Sequence, residues 1–172
     1  MAFAVLLGKE RDMSPSASGR KDRMIQQKRH DVYKETDKWP EPTVCQECGA
    51  LFTDGRWSWK EPPKGAHEVT CPACKRMNDR YPAGYLEMRG KFLESHRQEI
   101  FNLMRNIEEQ EKGERPLERI MEAKEEKDHT LVTTTGVHLA RRMGEALSRA
   151  YKGELSFQYV EAEKLIRVYW ER

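Results

Sequence analysis

The sequence has no long apolar run. Nothing in its 172 residues approaches the roughly 18 apolar residues of a bilayer-spanning helix, and the run Phe3 to Leu7 is too short for a signal segment and lacks a basic flank. A cytoplasmic protein without a membrane partner is the expectation. Nor is there an excess of one charge. The 31 Lys+Arg and 29 Asp+Glu leave a net +2, so the repulsion that keeps single-sign chains unfolded is missing and any disorder should be local. Catalytic signatures are missing as well. No GxxxxGK[ST] loop, GxGxxG turn, GxSxG elbow or HExxH helix occurs, which removes the common phosphate, dinucleotide, hydrolase and zinc-protease patterns. His96, His129 and His138 lie far apart in the chain, and Thr133, Thr134 and Thr135 suit a strand. No catalytic residue is assigned, and neither an enzyme nor a small-molecule substrate is expected.

What the chain does have is charge of both signs, unevenly placed. Charged residues make up 35% against 37% hydrophobic, well above the roughly 25% of an average globular protein. Residues 1–39 carry Arg20, Lys21, Arg23, Lys28 and Arg29 among serines with no sustained apolar period, and read as a flexible basic arm. Met13 and Met24 are alternative initiators within it. Glu108, Glu109, Glu111, Glu114, Glu118, Glu122, Glu125, Glu126 and Asp128 make the middle of the chain acidic, while Arg141, Arg142, Arg149 and Lys152 are basic. The small net charge therefore reads as two opposed surfaces, one repelling phosphate and one attracting it.

Four cysteines, none odd and none dispersed, form two knuckles. Cys45-Gln46-Glu47-Cys48 and Cys71-Pro72-Ala73-Cys74 are separated by 22 residues. Each CxxC turn offers two thiolates to one side, and two such turns make the tetrahedral set that Zn²⁺ takes. Gly49 after the first pair permits the tight turn. Four thiolates leave no open position for water, so the expected zinc is structural. A thioredoxin-like redox pair is the weaker reading, because prolines and a matching second pair surround the first. His67 reads as a loop histidine. Around the knuckles stand Arg56, Trp57, Trp59, Lys60, Lys64, Lys75, Arg76, Arg80 and Tyr81, where aromatic faces suit stacking on unpaired bases and cations suit phosphates. The alternation of Trp57 and Trp59 equally suits a β-ribbon with one of them packing its small core.

Residues 40–84 hold all the cysteines, and their prolines break any long element, which makes a zinc-ribbon module. Beyond it, Tyr85 to Met88 reads as a strand. Leu93 to Gln110 shows a helical period in Ile100, Leu103, Met104 and Ile107, ended by Gly113 and Pro116. Leu117 to Asp128 is open between strand and helix, with a strand favoured because it would pair with Leu131 to Thr135. A helical stripe from Val137 to Gly153 follows, then two alternating segments, Leu155 to Tyr159 and Ile166 to Trp170, joined by a short Glu161 to Lys164 connection. The order strand, helix, strand, strand, helix, strand, strand gives residues 85–172 a ferredoxin-like split βαβ plan: an antiparallel sheet with one added C-terminal strand and two helices on one face. The fold class expected is α+β.

The runs PTVCQECGALFTDGRWSW, HEVTCPACKRMNDRYPAGYLEMRGKF and TTTGVHLARRMGEALSRAYKGELSF resemble a group of stand-alone bacterial proteins related to the nonsense-mediated mRNA decay protein 3 family, which includes the eukaryotic export adaptor of the large ribosomal subunit and its archaeal counterparts. The likeness covers about residues 40 to 172. It implies a zinc module followed by a mixed α/β domain that acts on the large subunit near its tRNA sites. The larger relatives carry more CxxC pairs, further domains and export signals, so nuclear export is not carried over. The expectation is a non-enzymatic, zinc-dependent ribosome or rRNA-binding factor serving in dormancy (hibernation) or quality control. Trp57 and Trp59 would stack on bases, and Arg56, Lys75, Arg76, Arg80, Arg141 and Arg142 would contact RNA phosphates. A zinc-ribbon DNA-binding or transcription-associated regulator and a protein-interaction adaptor are the alternatives.

Overall fold

A computed structural model describes residue 33, residues 39–160 and residues 164–172. Apart from Tyr33 and Trp39, the basic arm lies outside the described residues, as does most of the Glu161 to Lys164 connection. The fold is α+β, with two sheets and three helices among those residues.

The cysteine-bearing part is built from four three-residue strands and one helix. They are β1 (Thr43–Cys45), β2 (Leu51–Thr53), β3 (Arg56–Ser58), β4 (His67–Val69) and α1 (Pro72–Asp79). The sheet order is β3-β2-β1-β4, with β1 and β4 parallel and the other pairs antiparallel. Two local signals set this geometry. Asp54 and Gly55 both have positive φ (53° and 72°), the two-residue turn whose twist matches paired strands. The Glu41 carboxylate accepts from both of their amides, at 2.7 and 3.1 Å. Pro72 opens α1 where a missing N–H costs nothing, and Arg80 at φ 51° closes it with its amide on the Arg76 and Met77 carbonyls.

The second part follows the predicted element order. It consists of β5 (Gly84–Arg89), α2 (Lys91–Glu114), β6 (Ile120–Glu125), β7 (Thr130–Thr134), α3 (Val137–Tyr151), β8 (Glu154–Val160) and β9 (Leu165–Glu171). The open segment after Leu117 is a strand, paired with β7 as expected. Gly113 lies inside α2, in its last turn, and does not end it.

The sheet itself differs from the expected one. It is mixed, in the order β6-β7-β5-β9-β8, because β9 runs parallel to β5 and sits between β5 and β8. The added strand is therefore inserted and not appended. Burial explains the choice: β9 brings Leu165, Ile166, Val168 and Trp170, all buried, whereas every β8 residue is exposed or only half-buried. The more apolar strand of the hairpin takes the inner place, where both of its edges are paired.

Helices α2 and α3 pack on the sheet face formed by Leu86, Met88, Val132, Ile166, Val168 and Trp170. Trp170, the largest fully buried side chain, donates from Nε1 to the Lys152 carbonyl at 2.7 Å, which satisfies its only polar atom. Gly144 lets α3 approach closely, since a Cβ there would press on Val168 Cγ1 and Leu155 Cδ1. At the start of α3, Glu118 accepts from the Leu139 amide at 2.9 Å. Its carboxylate fills the space beside Gly136.

Two outcomes check this packing. Gly144→Ala should lower stability by about 1–3 kcal/mol through overpacking, read from chemical denaturation. Burial raises the Glu118 carboxyl above its ordinary range, outweighing the Leu139 amide, so the native state holds its proton more tightly than the unfolded chain. The stability of the parent relative to Glu118→Gln should therefore fall as pH rises from about 4 through the raised value; a difference flat with pH would contradict it.

Candidate metal centre

Cys45 ends β1, Cys48 lies in the following turn, Cys71 caps α1 and Cys74 sits in its first turn. The parallel pairing of β1 with β4 brings the two knuckles side by side. All four Sγ atoms lie within 4.8 Å of one another. The Cys45–Cys74 and Cys48–Cys71 sulfur pairs are each 3.8 Å apart. Sulfurs placed about 2.3 Å from a common centre form a tetrahedron with edges of about 3.8 Å, so the cluster has the dimensions of a four-thiolate metal site. It does not have those of disulfides, and all four cysteines are free. His67 is exposed on β4 and outside this group.

Backbone amides turn toward the sulfurs. Cys71 N–H donates to Cys45 Sγ at 3.3 Å and Cys74 N–H to Cys71 Sγ at 3.5 Å. Burial works against a charged Cys45, yet the amides of Cys71, Cys48 and Glu47 outweigh it and bring the thiol down to about 7. Burial pushes Cys71 up to about 11 and Cys74 upward as well. The protein alone therefore does not hold four thiolates at neutral pH. A cation held at the centre would supply the missing compensation and displace the protons.

A fifth residue completes the centre, and it comes from outside the cysteine-bearing part, just before β6. Arg119 is buried and donates from Nη2 to Cys48 Sγ at 2.9 Å and from Nη1 to Cys74 Sγ at 3.5 Å. Its Nε donates to the Pro116 carbonyl at 2.8 Å. Its backbone is fixed by Thr135, whose Oγ1 accepts from Arg119 N–H and whose N–H donates to the Arg119 carbonyl, both at 2.9 Å. The guanidinium also lies 5.7 Å from the Trp59 ring centre. Sequence reading missed it, since one of two arginines in an acidic stretch, 71 residues from Cys48, carries no local signal.

The other singled-out residues are placed unevenly. Arg56 and Arg80 are exposed, and Trp59 is 40% exposed with its Nε1 on the Lys112 carbonyl at 2.6 Å. Trp57 is half-buried against Trp39 and Phe52, the packing role foreseen for one tryptophan of the ribbon. Lys75 lies over the Trp39 ring. Arg76 is buried, with Nη1 on the Tyr81 carbonyl at 3.1 Å and its guanidinium 4.4 Å from the Tyr33 ring. On α3, Arg141 is exposed and paired with Glu145 at 2.7 Å, and Arg142 binds Glu111 at 3.0 Å. Glu111 also takes Arg115 and His138. No helix among the described residues is long and apolar enough to cross a membrane.

Comparison with protein families, curated proteins and solved structures finds no match.

Arg119→Ala should weaken metal retention roughly 10- to 100-fold in chelator competition, the usual effect of losing an outer partner of a metal ligand. Arg119→Lys, which keeps the charge without the two-pronged donor, should fall between. An alanine variant that held metal as tightly as the parent would contradict the bracing role.

Proposed function

We propose that this chain is a zinc-stabilised RNA-binding protein whose target is the ribosome, near the tRNA sites of the large subunit. In this reading residues 40–84 form a zinc ribbon and residues 85–172 a ferredoxin-like domain modified by the inserted strand β9. The observation that carries it is the centre itself. A four-thiolate set whose outer side is held by Arg119 leaves no place for a reacting water, so the metal's work is to order the surface around it. That surface presents Trp59 and Tyr81, both more than one-third exposed, with Arg56, Lys60, Lys64 and Arg80. Flat aromatic faces and unburied cations are what unpaired bases and phosphates require. The choice of the ribosome rests on the family resemblance, as do the suggested roles in dormancy or quality control.

Of the residues suggested for RNA, Arg56, Trp59, Arg80, Arg141 and Arg142 are the exposed ones and would make the contacts. Trp57 and Arg76 would act from behind, by holding the ribbon and the turn at Tyr81 in shape. One experiment tests the whole reading: sedimentation of the full chain with ribosomal particles at low and high salt, with wild type and Trp59→Ala/Arg80→Glu compared. Wild type should travel with the large subunit and detach as salt rises. The double variant should bind at least about tenfold more weakly, given roughly 1–3 kcal/mol per stacked base, with its metal content unchanged. A protein that stays at the top of the gradient at every salt concentration, or that prefers duplex DNA to rRNA fragments in gel shift, would remove the ribosomal reading.

A further inference from the structure

The five-stranded sheet has two edge strands, β6 and β8, and they are finished differently. An edge strand exposes a row of unpaired backbone donors and acceptors, which proteins normally blunt with charge, irregularity or a covering segment. Strand β6 has all three. Its register shifts between Ile120 and Glu122, it carries Glu122, Lys124 and Glu125, and Arg97 of α2 reaches across to pair with Glu125.

Strand β8 has only a charge at its first residue, Glu154. Its seven residues pair with β9 in one unbroken register from Glu154 to Val160. From Leu155 to Val160 there is no charge and no proline. Among the described residues β8 pairs with β9 alone. It also displays two large side chains, Phe157 at 38% and Tyr159 at 56% exposure, on the same side of the strand as Leu155.

We propose that β8 is a dimerisation edge, at which two copies of this chain pair antiparallel and join their sheets into one of ten strands. The pattern of the strand favours a second copy over an unrelated segment. A two-fold axis through Phe157 sets Phe157 opposite itself, Leu155 opposite Tyr159, Ser156 opposite Gln158 and Glu154 opposite Val160. Apolar residues meet apolar ones on one face, Ser156 meets Gln158 at the centre of the other with Glu154 beside Val160 at its ends, and no two like charges are brought together. Aromatic cross-strand pairs of this kind are stabilising, and a contact that is its own complement is what a two-fold dimer requires. Arg141, whose guanidinium lies 6.0 Å from the Phe157 ring centre, and Glu145 paired with it give the rim one charge of each sign.

The self-facing position supplies the test. Sedimentation equilibrium of the full, metal-loaded chain should give twice the 20.2 kDa chain mass at high concentration. Phe157→Lys and Phe157→Glu each set two like charges face to face, and each alone should weaken self-association at least about tenfold. Mixed together, the two variants should restore the dimer, because lysine then faces glutamate. Tyr159→Lys, at the more exposed site, should weaken association and serves if either 157 variant loses its fold by circular dichroism. A wild type that remains monomeric at the highest soluble concentration overturns the proposal. So does a dimer that survives these substitutions, or one that disappears only when residues 1–38 are deleted.

Discussion

The contact between Arg119 and the cysteine cluster is the constraint on which the rest of the molecule depends. Four thiolates around one divalent cation would leave two negative charges over, in a site where Cys45, Cys71 and Cys74 are all buried. Such charge is costly to keep from water unless it is hydrogen-bonded. The amides of the knuckles supply part of the compensation, and the guanidinium supplies a full positive charge with two donors aimed at two different sulfurs. The four clustered cysteines thus come from one part of the chain and their counter-charge from another. Neither part completes the centre alone.

The larger part is arranged by a similar competition over what is left exposed. Two strands of one hairpin, β8 and β9, had a single inner place available beside β5. The strand with Ile166, Val168 and Trp170 took it, and the parallel pairing with β5 followed from the hairpin's direction. The same choice left the sheet with one plain edge. The position of β8 and the departure from an all-antiparallel sheet have one cause.

Much of this was legible in the sequence, and what was not had a common character. The two CxxC motifs named the four cysteines that cluster because spacing along the chain fixes the geometry of a tight turn. The periods in Ile100, Met104 and Ile107 and in Ala140, Met143 and Leu147 located α2 and α3 because one face of each is buried. The element order followed from these and from the alternation in Leu155 to Tyr159 and Ile166 to Trp170. Cys71 and Pro72 also formed a helix-start signal for α1, with a cap and a proline in the first turn, that the many surrounding prolines obscured. The order of strands in space, by contrast, depends on comparing the burial of two segments once both compete for one place. Arg119 depends on the fold bringing residues far apart in the chain together. The role of Arg76 was hidden in the same way, since a basic residue beside a knuckle reads as surface until Tyr33 and Tyr81 are seen around it.

Glu118 and Arg119 are neighbours in the chain but serve different parts of the molecule. The first holds the opening amide of α3, and the second holds the sulfurs of the metal cluster. A single peptide bond thus joins a helix start to the cysteine cluster, and displacing one side chain would strain the backbone that carries the other. Through this junction the loss of a bound ion would reach the first turn of α3, so the two parts would share one local opening event there.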